Sequence, residues 1–125
     1  MAPLIAIVDD EVSVQRAIGR LVRSAGLEAE CFSSAEEFLE AHSVRTHHCL
    51  ILDVRLPGIS GRELQSRLLD SNTSTNTPII FVSAQDDPES RSEALSAGAA
   101  AFFGKPFDQE ILLEAIQAVV RDDQG

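Results

Sequence analysis

Apolar and polar residues alternate along the chain in blocks of two kinds. Short apolar runs cover residues 4–8, 49–52, 78–82 and 99–103, and polar or turn residues bound each of them. Such runs are typical of strands that are buried on both faces of a parallel sheet. Residues 28–32 alternate polar and apolar side chains instead. That alternation predicts a half-exposed strand at the edge of the sheet.

Between these runs, apolar residues recur at helical spacing. The pattern predicts helices over residues 12–25, 61–69 and 88–97, a short helix after Ser34, and a last helix after Asp108. Residues 70–77 are all polar and predict a solvated loop, and residues 121–125 predict a frayed tail. The predicted N-caps are Ser34, Asp87 and Asp108.

Five strands that alternate with five helices predict an α/β fold, with a single doubly wound parallel sheet of the flavodoxin-like (βα)5 type. The edge character of the second strand favours the strand order 2-1-3-4-5. In that order strands 1 and 3 are neighbours, and ligands bind in the crevice at their carboxyl ends. Residues 1–125 are expected to form this one domain.

Composition excludes several classes of function. The net charge is −10 and basic residues do not cluster, so no contact with nucleic acid is expected. The first apolar run stops at Asp9 without a basic segment before it, which predicts neither a signal peptide nor a membrane span, and hence a cytoplasmic protein. Cys31 and Cys49 fall in strands that a third strand separates, so both are expected to be buried, unpaired thiols.

Acidic side chains mark the ends of two neighbouring predicted strands. Asp9 and Asp10 follow the first strand, and Asp53 ends the third. Three carboxylates within about 5 Å repel by roughly 3 kcal/mol per pair at an effective dielectric of about 20. A cation that prefers oxygen ligands, Mg²⁺ or Mn²⁺, would relieve that repulsion. Taken alone, Asp9 could instead be a strand terminator and Asp10 a helix cap.

Ser83 and Lys105 follow the fourth and fifth strands at the same edge of the sheet. A hydroxyl and an ammonium group can bind the oxygens of a phosphoryl group carried by Asp53. Lys105 is the only lysine of the chain, and a cis Lys105–Pro106 peptide would aim it inward. Ser83 alone could be an ordinary helix-entry serine. The residues together favour Asp53 as a nucleophile that accepts a phosphoryl group.

With these motifs in order along essentially its whole length, the chain resembles the receiver domain of two-component response regulators, and residues 53–64 are most similar to receivers of the FixJ type. The resemblance implies that a sensor kinase transfers a phosphoryl group from its own histidine to Asp53. It implies no enzyme activity beyond the domain's own phosphorylation and dephosphorylation. The matching residues are Asp9-Asp10, Asp53 with Leu56-Pro57-Gly58 and Gly61, Ser83-Ala84, and Lys105-Pro106-Phe107.

The resemblance also assigns roles within the site. Asp10 and Asp53 would bind Mg²⁺ directly, Asp9 would act largely through water, and the backbone carbonyl of Arg55 would add a ligand. Ser83 and Lys105 would hold the phosphoryl oxygens.

We also hypothesise a switch. Phe102 could be a residue packed permanently in the core, but if Ser83 is drawn toward the phosphoryl group, the ring of Phe102 would turn inward. This would reshape the surface of helix 4, strand 5 and helix 5. That surface would control a phosphorylation-dependent homodimer, the kinase or an output domain. Ser83 stands where the family more often has Thr, and Phe102 where it often has Tyr. The chain contains no output domain, so we expect either a single-domain regulator or part of a longer protein.

Three other functions stay open at this point. A phosphohydrolase with an Asp nucleophile would need a second acid two residues after Asp53, where Arg55 stands. A flavodoxin-like cofactor binder would need a phosphate-binding loop after strand 1, where the chain is anionic. A receiver fold that only binds partners would lack a site residue, and none is missing. The histidines His42, His47 and His48 lie in a polar connection, where we expect them to be exposed and not to bind metal.

Overall fold

Five parallel strands form one sheet, and five helices cover its two faces. The computed structural model describes residues 2–70 and 77–124. Of the predicted polar loop, positions 71–76 lie outside these described residues. The elements in chain order are β1 (Leu4–Val8), α1 (Val12–Ser24), β2 (Glu28–Phe32), α2 (Ala35–His42), β3 (Cys49–Leu52), α3 (Gly61–Asp70), β4 (Ile79–Ser83), α4 (Pro88–Ser96), β5 (Ala101–Gly104) and α5 (Gln109–Gln124).

The strand order is β2-β1-β3-β4-β5, which confirms the predicted fold class and the predicted edge position of β2. Register places the ends of the strands side by side. Val8, the last residue of β1, pairs with Leu52, the last residue of β3. Ser83 at the end of β4 pairs with Gly104 at the end of β5. The residues that follow these four strands therefore meet at one edge of the sheet.

Each face of the sheet has its own apolar core, because successive strand residues point to opposite faces. On the side of α2, α3 and α4, the core contains Phe38, Leu52, Phe81 and Phe102. The side of α1 and α5 is filled mainly by aliphatic residues. Its buried members are Ile5, Ile7, Ile18, Val22, Cys49, Ile51, Ile80, Val82, Leu112, Ile116 and Val120.

Side-chain caps begin four of the helices: three were predicted, and the fourth, Ser60 at the start of α3, was not. The Ser34 hydroxyl accepts a hydrogen bond from the backbone N–H of Glu37 at 3.2 Å. Asp87 accepts one from the backbone of Ser90 at 3.0 Å, and Asp108 caps the start of α5 in the same way. None of the helices within the described part of the chain is both long and apolar enough to cross a membrane.

Some predicted boundaries are wrong. β5 covers Ala101–Gly104 and not residues 99–103, because Ala99 still belongs to the turn after α4, where its N–H bonds to the carbonyl of Ala94. α5 continues to Gln124, so most of the predicted frayed tail is helical. β3 ends at Leu52, and Asp53 is the first residue beyond it.

The predicted burial of both thiols is also wrong. Cys49 is buried in β3, but Cys31 is exposed, because the strand that carries it, β2, forms the edge of the sheet. Neither cysteine forms a disulfide within the described part of the chain, in agreement with the prediction.

The histidines are not the exposed group that the sequence predicted. His47 is buried, and its Nε2 lies 2.8 Å from Oε1 of Glu30. Its Nδ1 lies 3.2 Å from Nδ1 of His42, whose ring stacks on Phe38. His48 accepts a hydrogen bond on Nδ1 from the backbone of Leu4. The carboxylate on β2 and the adjacent aromatic rings allow these side chains to enter the protein interior.

Candidate functional site

Three carboxylates meet at the edge of the sheet where β1 and β3 end. One oxygen each from Asp9, Asp10 and Asp53 lies within 4.8 Å of the others. Asp9 and Asp53 are buried, because each directly follows a buried strand. Asp10 is exposed, and among the described residues its side chain has no hydrogen-bonding partner. The structure thus brings together the three acids that the sequence singled out.

Lys105 lies between the two buried acids. Its Nζ is 2.9 Å from Oδ2 of Asp9 and 2.9 Å from Oδ2 of Asp53. A third carboxylate, that of Glu11, accepts a hydrogen bond from the same nitrogen at 3.0 Å. The peptide bond between Lys105 and Pro106 is cis, as predicted.

The remaining oxygen of Asp53 is also bonded. Ser83 donates its hydroxyl proton to Oδ1 of Asp53 across 2.8 Å, and the backbone N–H of Arg55 donates to the same atom at 3.1 Å. Gly61 lets the first turn of α3 pack on this loop, since a Cβ there would lie 2.0 Å from the carbonyl oxygen of Asp53. The carboxylate of Asp53 is therefore held in one orientation by the donors around it.

Burial and ion pairing have opposite effects on the pKa values of Asp9 and Lys105. Burial raises the pKa of Asp9 above its ordinary value, although the hydrogen bond from Lys105 acts in the opposite direction. Burial alone would lower the pKa of Lys105. Hydrogen bonds to Asp9, Asp53 and Glu11 outweigh that effect and raise the pKa of Lys105, so the ammonium stays charged.

The chemistry of the donor set fits a hard divalent cation. Asp9, Asp10 and Asp53 offer carboxylate oxygens, which such cations prefer, and Asp10 has no competing partner among the described residues. Lys105 satisfies the buried acids only in part, because one ammonium carries less charge than the carboxylates around it. The backbone carbonyl of Arg55 stays a predicted ligand.

Polar side chains cross the mouth of the site. Nε of Arg55, in the loop after β3, donates to Oε1 of Gln85, in the loop after β4, at 2.6 Å. Gln85 in turn donates to the hydroxyl of Ser90 on α4 at 3.1 Å. Arg55 is exposed, and this hydrogen bond to a neighbouring loop sets the direction of its side chain.

Phe102 already occupies an inward position. Its ring is buried, with 4% of the residue exposed, and stacks on Phe81 at 5.7 Å between centroids. Arg91 of α4 covers the ring at 5.2 Å and donates to the backbone carbonyl of Phe102. The predicted inward turn therefore does not start from this conformation, because the packing of Phe81 and Arg91 holds the ring inside.

The same arginine fixes the loop between β4 and α4. Arg91 pairs with Asp86, whose carboxylate lies directly over Gly104. A Cβ at Gly104 would lie 2.2 Å from Oδ2 of Asp86. The sequence reasoning missed this cluster, and it missed Glu11. The ammonium of the only lysine has three N–H donors, and matching them to the acids at this edge of the sheet could have indicated Glu11 as a third acceptor. No pattern along the chain indicates Arg91.

Comparison with known proteins gives a consistent result. A family model described as the response regulator receiver domain matches residues 5–117. The chain is 45% identical to the response regulator protein TodT of Pseudomonas putida over 120 residues, which cover 96% of the chain and 52% of that protein. It is 34% identical to the transcriptional regulatory protein FixJ of Azorhizobium caulinodans over 112 residues, or 90% of the chain and 52% of the relative.

A solved structure has the same fold. The response regulator receiver protein from Burkholderia phymatum aligns with a TM-score of 0.82 and 41% identity, and the alignment covers 95% of each chain. The chain described here spans about half the length of the curated relatives that it matches.

Proposed function

The chain belongs to the response regulator receiver family, and from that premise we propose that it is a phosphorylation-activated switch whose Asp53 accepts a phosphoryl group. The observation that carries the proposal is the surroundings of Asp53. Its carboxylate is buried at the edge of the sheet and held between Lys105 and Ser83, with Asp9 and Asp10 close by. This arrangement supplies a nucleophile, two donors for phosphoryl oxygens and a cation site.

The chemistry assigns one task to each side chain. An oxygen of Asp53 forms a bond to phosphorus while the bond from phosphorus to the donor imidazole breaks, and the imidazole leaves with that electron pair. Lys105 and Ser83 donate hydrogen bonds to the oxygens of the phosphoryl group. Mg²⁺ or Mn²⁺, when bound by Asp9, Asp10 and Asp53, would neutralise the negative charge of this site. Hydrolysis of the aspartyl phosphate then returns Asp53 and releases phosphate.

The proposed output surface consists of α4, β5 and α5. In α4 the only fully buried residue is Ala94, so polar contacts rather than apolar burial hold this helix to the protein. Those contacts include the bonds of Arg91 described above, a hydrogen bond of 3.0 Å from Gln65 to the carbonyl of Ala94, and an ion pair of 3.1 Å between Arg62 and Glu93. A helix held in this way can shift at small cost when Ser83 changes partner. The switch role of Ser83 stays a prediction, and so does that of Phe102, whose ring already lies inward in the conformation described above.

Partners follow from the same proposal. We expect a sensor histidine kinase to be the phosphodonor, and a second phosphorylated copy to bind through α4 and β5. An output domain, in a longer protein or as a separate chain, is the other expected partner of this surface. A cytoplasmic location also stays a prediction.

The experiment is incubation with acetyl phosphate and Mg²⁺, followed by intact mass spectrometry. The wild type should gain the mass of one phosphoryl group, because Asp53 displaces acetate from phosphorus. Asp53→Asn keeps the shape of the side chain but removes the nucleophile, so it should gain none, whereas Glu40→Gln, a charge change on the surface of α2, should behave as the wild type. Equal labelling of Asp53→Asn and wild type would refute the assignment. A folded wild type that is never labelled would point to a binding module instead.

A further inference from the structure

Every N–H donor of Lys105 is occupied. An ammonium group has three donors, and the three acceptors are Oδ2 of Asp9, Oδ2 of Asp53 and Oε1 of Glu11, at 2.9, 2.9 and 3.0 Å. A phosphoryl oxygen on Asp53 can therefore receive a hydrogen bond from Lys105 only if one of these partners leaves. Which partner leaves is a question of what each one loses.

Glu11 differs from the other two partners in its exposure. The exposed fraction of its side chain is 57%, against 4% for Asp9 and 7% for Asp53. A carboxylate that leaves Lys105 regains hydration if it is exposed, but stays desolvated and unpaired if it is buried. Release of Glu11 therefore costs much less than release of Asp9.

The position of Glu11 leaves its side chain free for such an exchange. Glu11 is the N-cap residue of α1, but its side chain makes no capping hydrogen bond. Its backbone carbonyl accepts from the N–H groups of Val14 and Gln15, and its own N–H donates to Asp9. Rotation of the side chain toward water would leave all of these backbone contacts in place.

We propose that Glu11 is the exchangeable counterion of Lys105: it occupies one N–H of the ammonium in the unphosphorylated protein and is displaced into solvent by the phosphoryl group. The inference rests on the proposed function. Glu11 is then a positioning residue that competes with the phosphoryl group for Lys105. The competition limits how tightly the site binds a phosphoryl-like anion. The contact with Glu11 keeps Lys105 directed at the site when no anion is present.

Removal of the competing carboxylate should strengthen anion binding. Half-exposed ion pairs change an equilibrium by about two- to fivefold. Glu11→Gln should therefore bind the phosphoryl mimic beryllofluoride, in the presence of Mg²⁺, about two- to fivefold more tightly than the wild type. Glu40→Gln removes the same charge from an exposed site on α2 that does not contact Lys105, and it should leave the affinity unchanged.

The single lysine makes the contact directly observable. Because Lys105 is the only lysine, lysine labelled with ¹³C at Cε and ¹⁵N at Nζ gives one side-chain signal that needs no assignment. Without anion, the Lys105 signal of Glu11→Gln should differ from that of the wild type. With saturating beryllofluoride the two signals should converge, since residue 11 no longer contacts Lys105 in either protein. A purely structural role of Glu11 would not produce this convergence.

The outcomes separate this inference from the proposed function. If the wild type binds beryllofluoride but Glu11→Gln has equal or weaker affinity, the exchange is refuted and the proposed function stands. Identical Lys105 signals of the two proteins without anion would also refute the exchange. A wild type that binds no beryllofluoride and accepts no phosphoryl group overturns both ideas.

Discussion

Binding of Mg²⁺ should raise the thermal stability of the protein, and Asp10 should be required for the effect. The oxygens of the buried acids Asp9 and Asp53 lie within 4.8 Å of each other. At an effective dielectric of about 20 that separation corresponds to roughly 3 kcal/mol of repulsion, which Lys105 offsets only in part. Asp10 adds a further charge that is exposed and therefore more strongly screened. A divalent cation that binds the folded state relieves this repulsion.

The size of the effect follows from mass action. At a Mg²⁺ concentration ten times the Kd, the gain in unfolding free energy is about 1.4 kcal/mol. For a domain of this size, such a gain raises the Tm by about 4–6 °C. Asp10→Ala removes the one acid of the three-carboxylate cluster whose side chain has no hydrogen-bonding partner among the described residues, so its Tm should respond to Mg²⁺ much less. Its Tm without metal should equal or exceed that of the wild type.

The assay is differential scanning calorimetry with and without MgCl₂, because the chain has no tryptophan whose fluorescence could report binding. NaCl at matched ionic strength controls for screening, and Glu40→Ala controls for the loss of one negative charge. A wild-type Tm that is indifferent to Mg²⁺ would refute the metal site. An Asp10→Ala variant that responds as strongly as the wild type would refute the role given to Asp10.

Two further predictions concern contacts outside the acidic cluster. Gly104→Ala should lower the unfolding free energy by about 1–2 kcal/mol, because the added methyl group collides with Asp86. In the double variant with Asp86→Ala, most of that loss should disappear. Urea unfolding measures both losses, and additive losses would contradict the prediction. Burial, together with the charge of the neighbouring His47, lowers the pKa of His42. The unfolded chain then binds more protons than the folded one, so stability should fall as the pH drops below about 6.5, and His42→Gln should reduce that loss in melts at a series of pH values.

Periodicity was sufficient to predict the layout of the sheet. The apolar runs at β1, β3 and β4 are the strands that are buried on both faces, and the alternating run at β2 is the edge. The strand order then follows from the right-handed crossovers and from the position of the one edge strand, so the sequence alone predicts that Asp9 and Asp53 lie side by side. Three of the four side-chain caps were equally predictable, since a cap depends only on side chains within one turn.

Contacts between loops were not predictable in this way. Glu11 reaches Lys105 across 94 positions of the sequence, and Arg55 reaches Gln85 across 30. Such contacts depend on the direction and reach of long side chains in irregular backbone, which no spacing rule describes. His47 is a similar case, because a histidine in a polar connection becomes a buried residue only when a neighbouring strand supplies Glu30.

The separation of the two cores has a consequence for how this domain can change. Phe81 and Phe102 pack on the side of α2 to α4, and the aliphatic residues of α1 and α5, such as Ile18 and Ile116, pack on the other. Substitutions of the buried residues of α1, such as Ile18, can therefore change stability without altering Phe102 or α4, whereas α5 belongs both to this core and to the proposed output surface. The stability of the domain and its proposed response to phosphorylation can therefore be changed separately, by selection or by protein engineering.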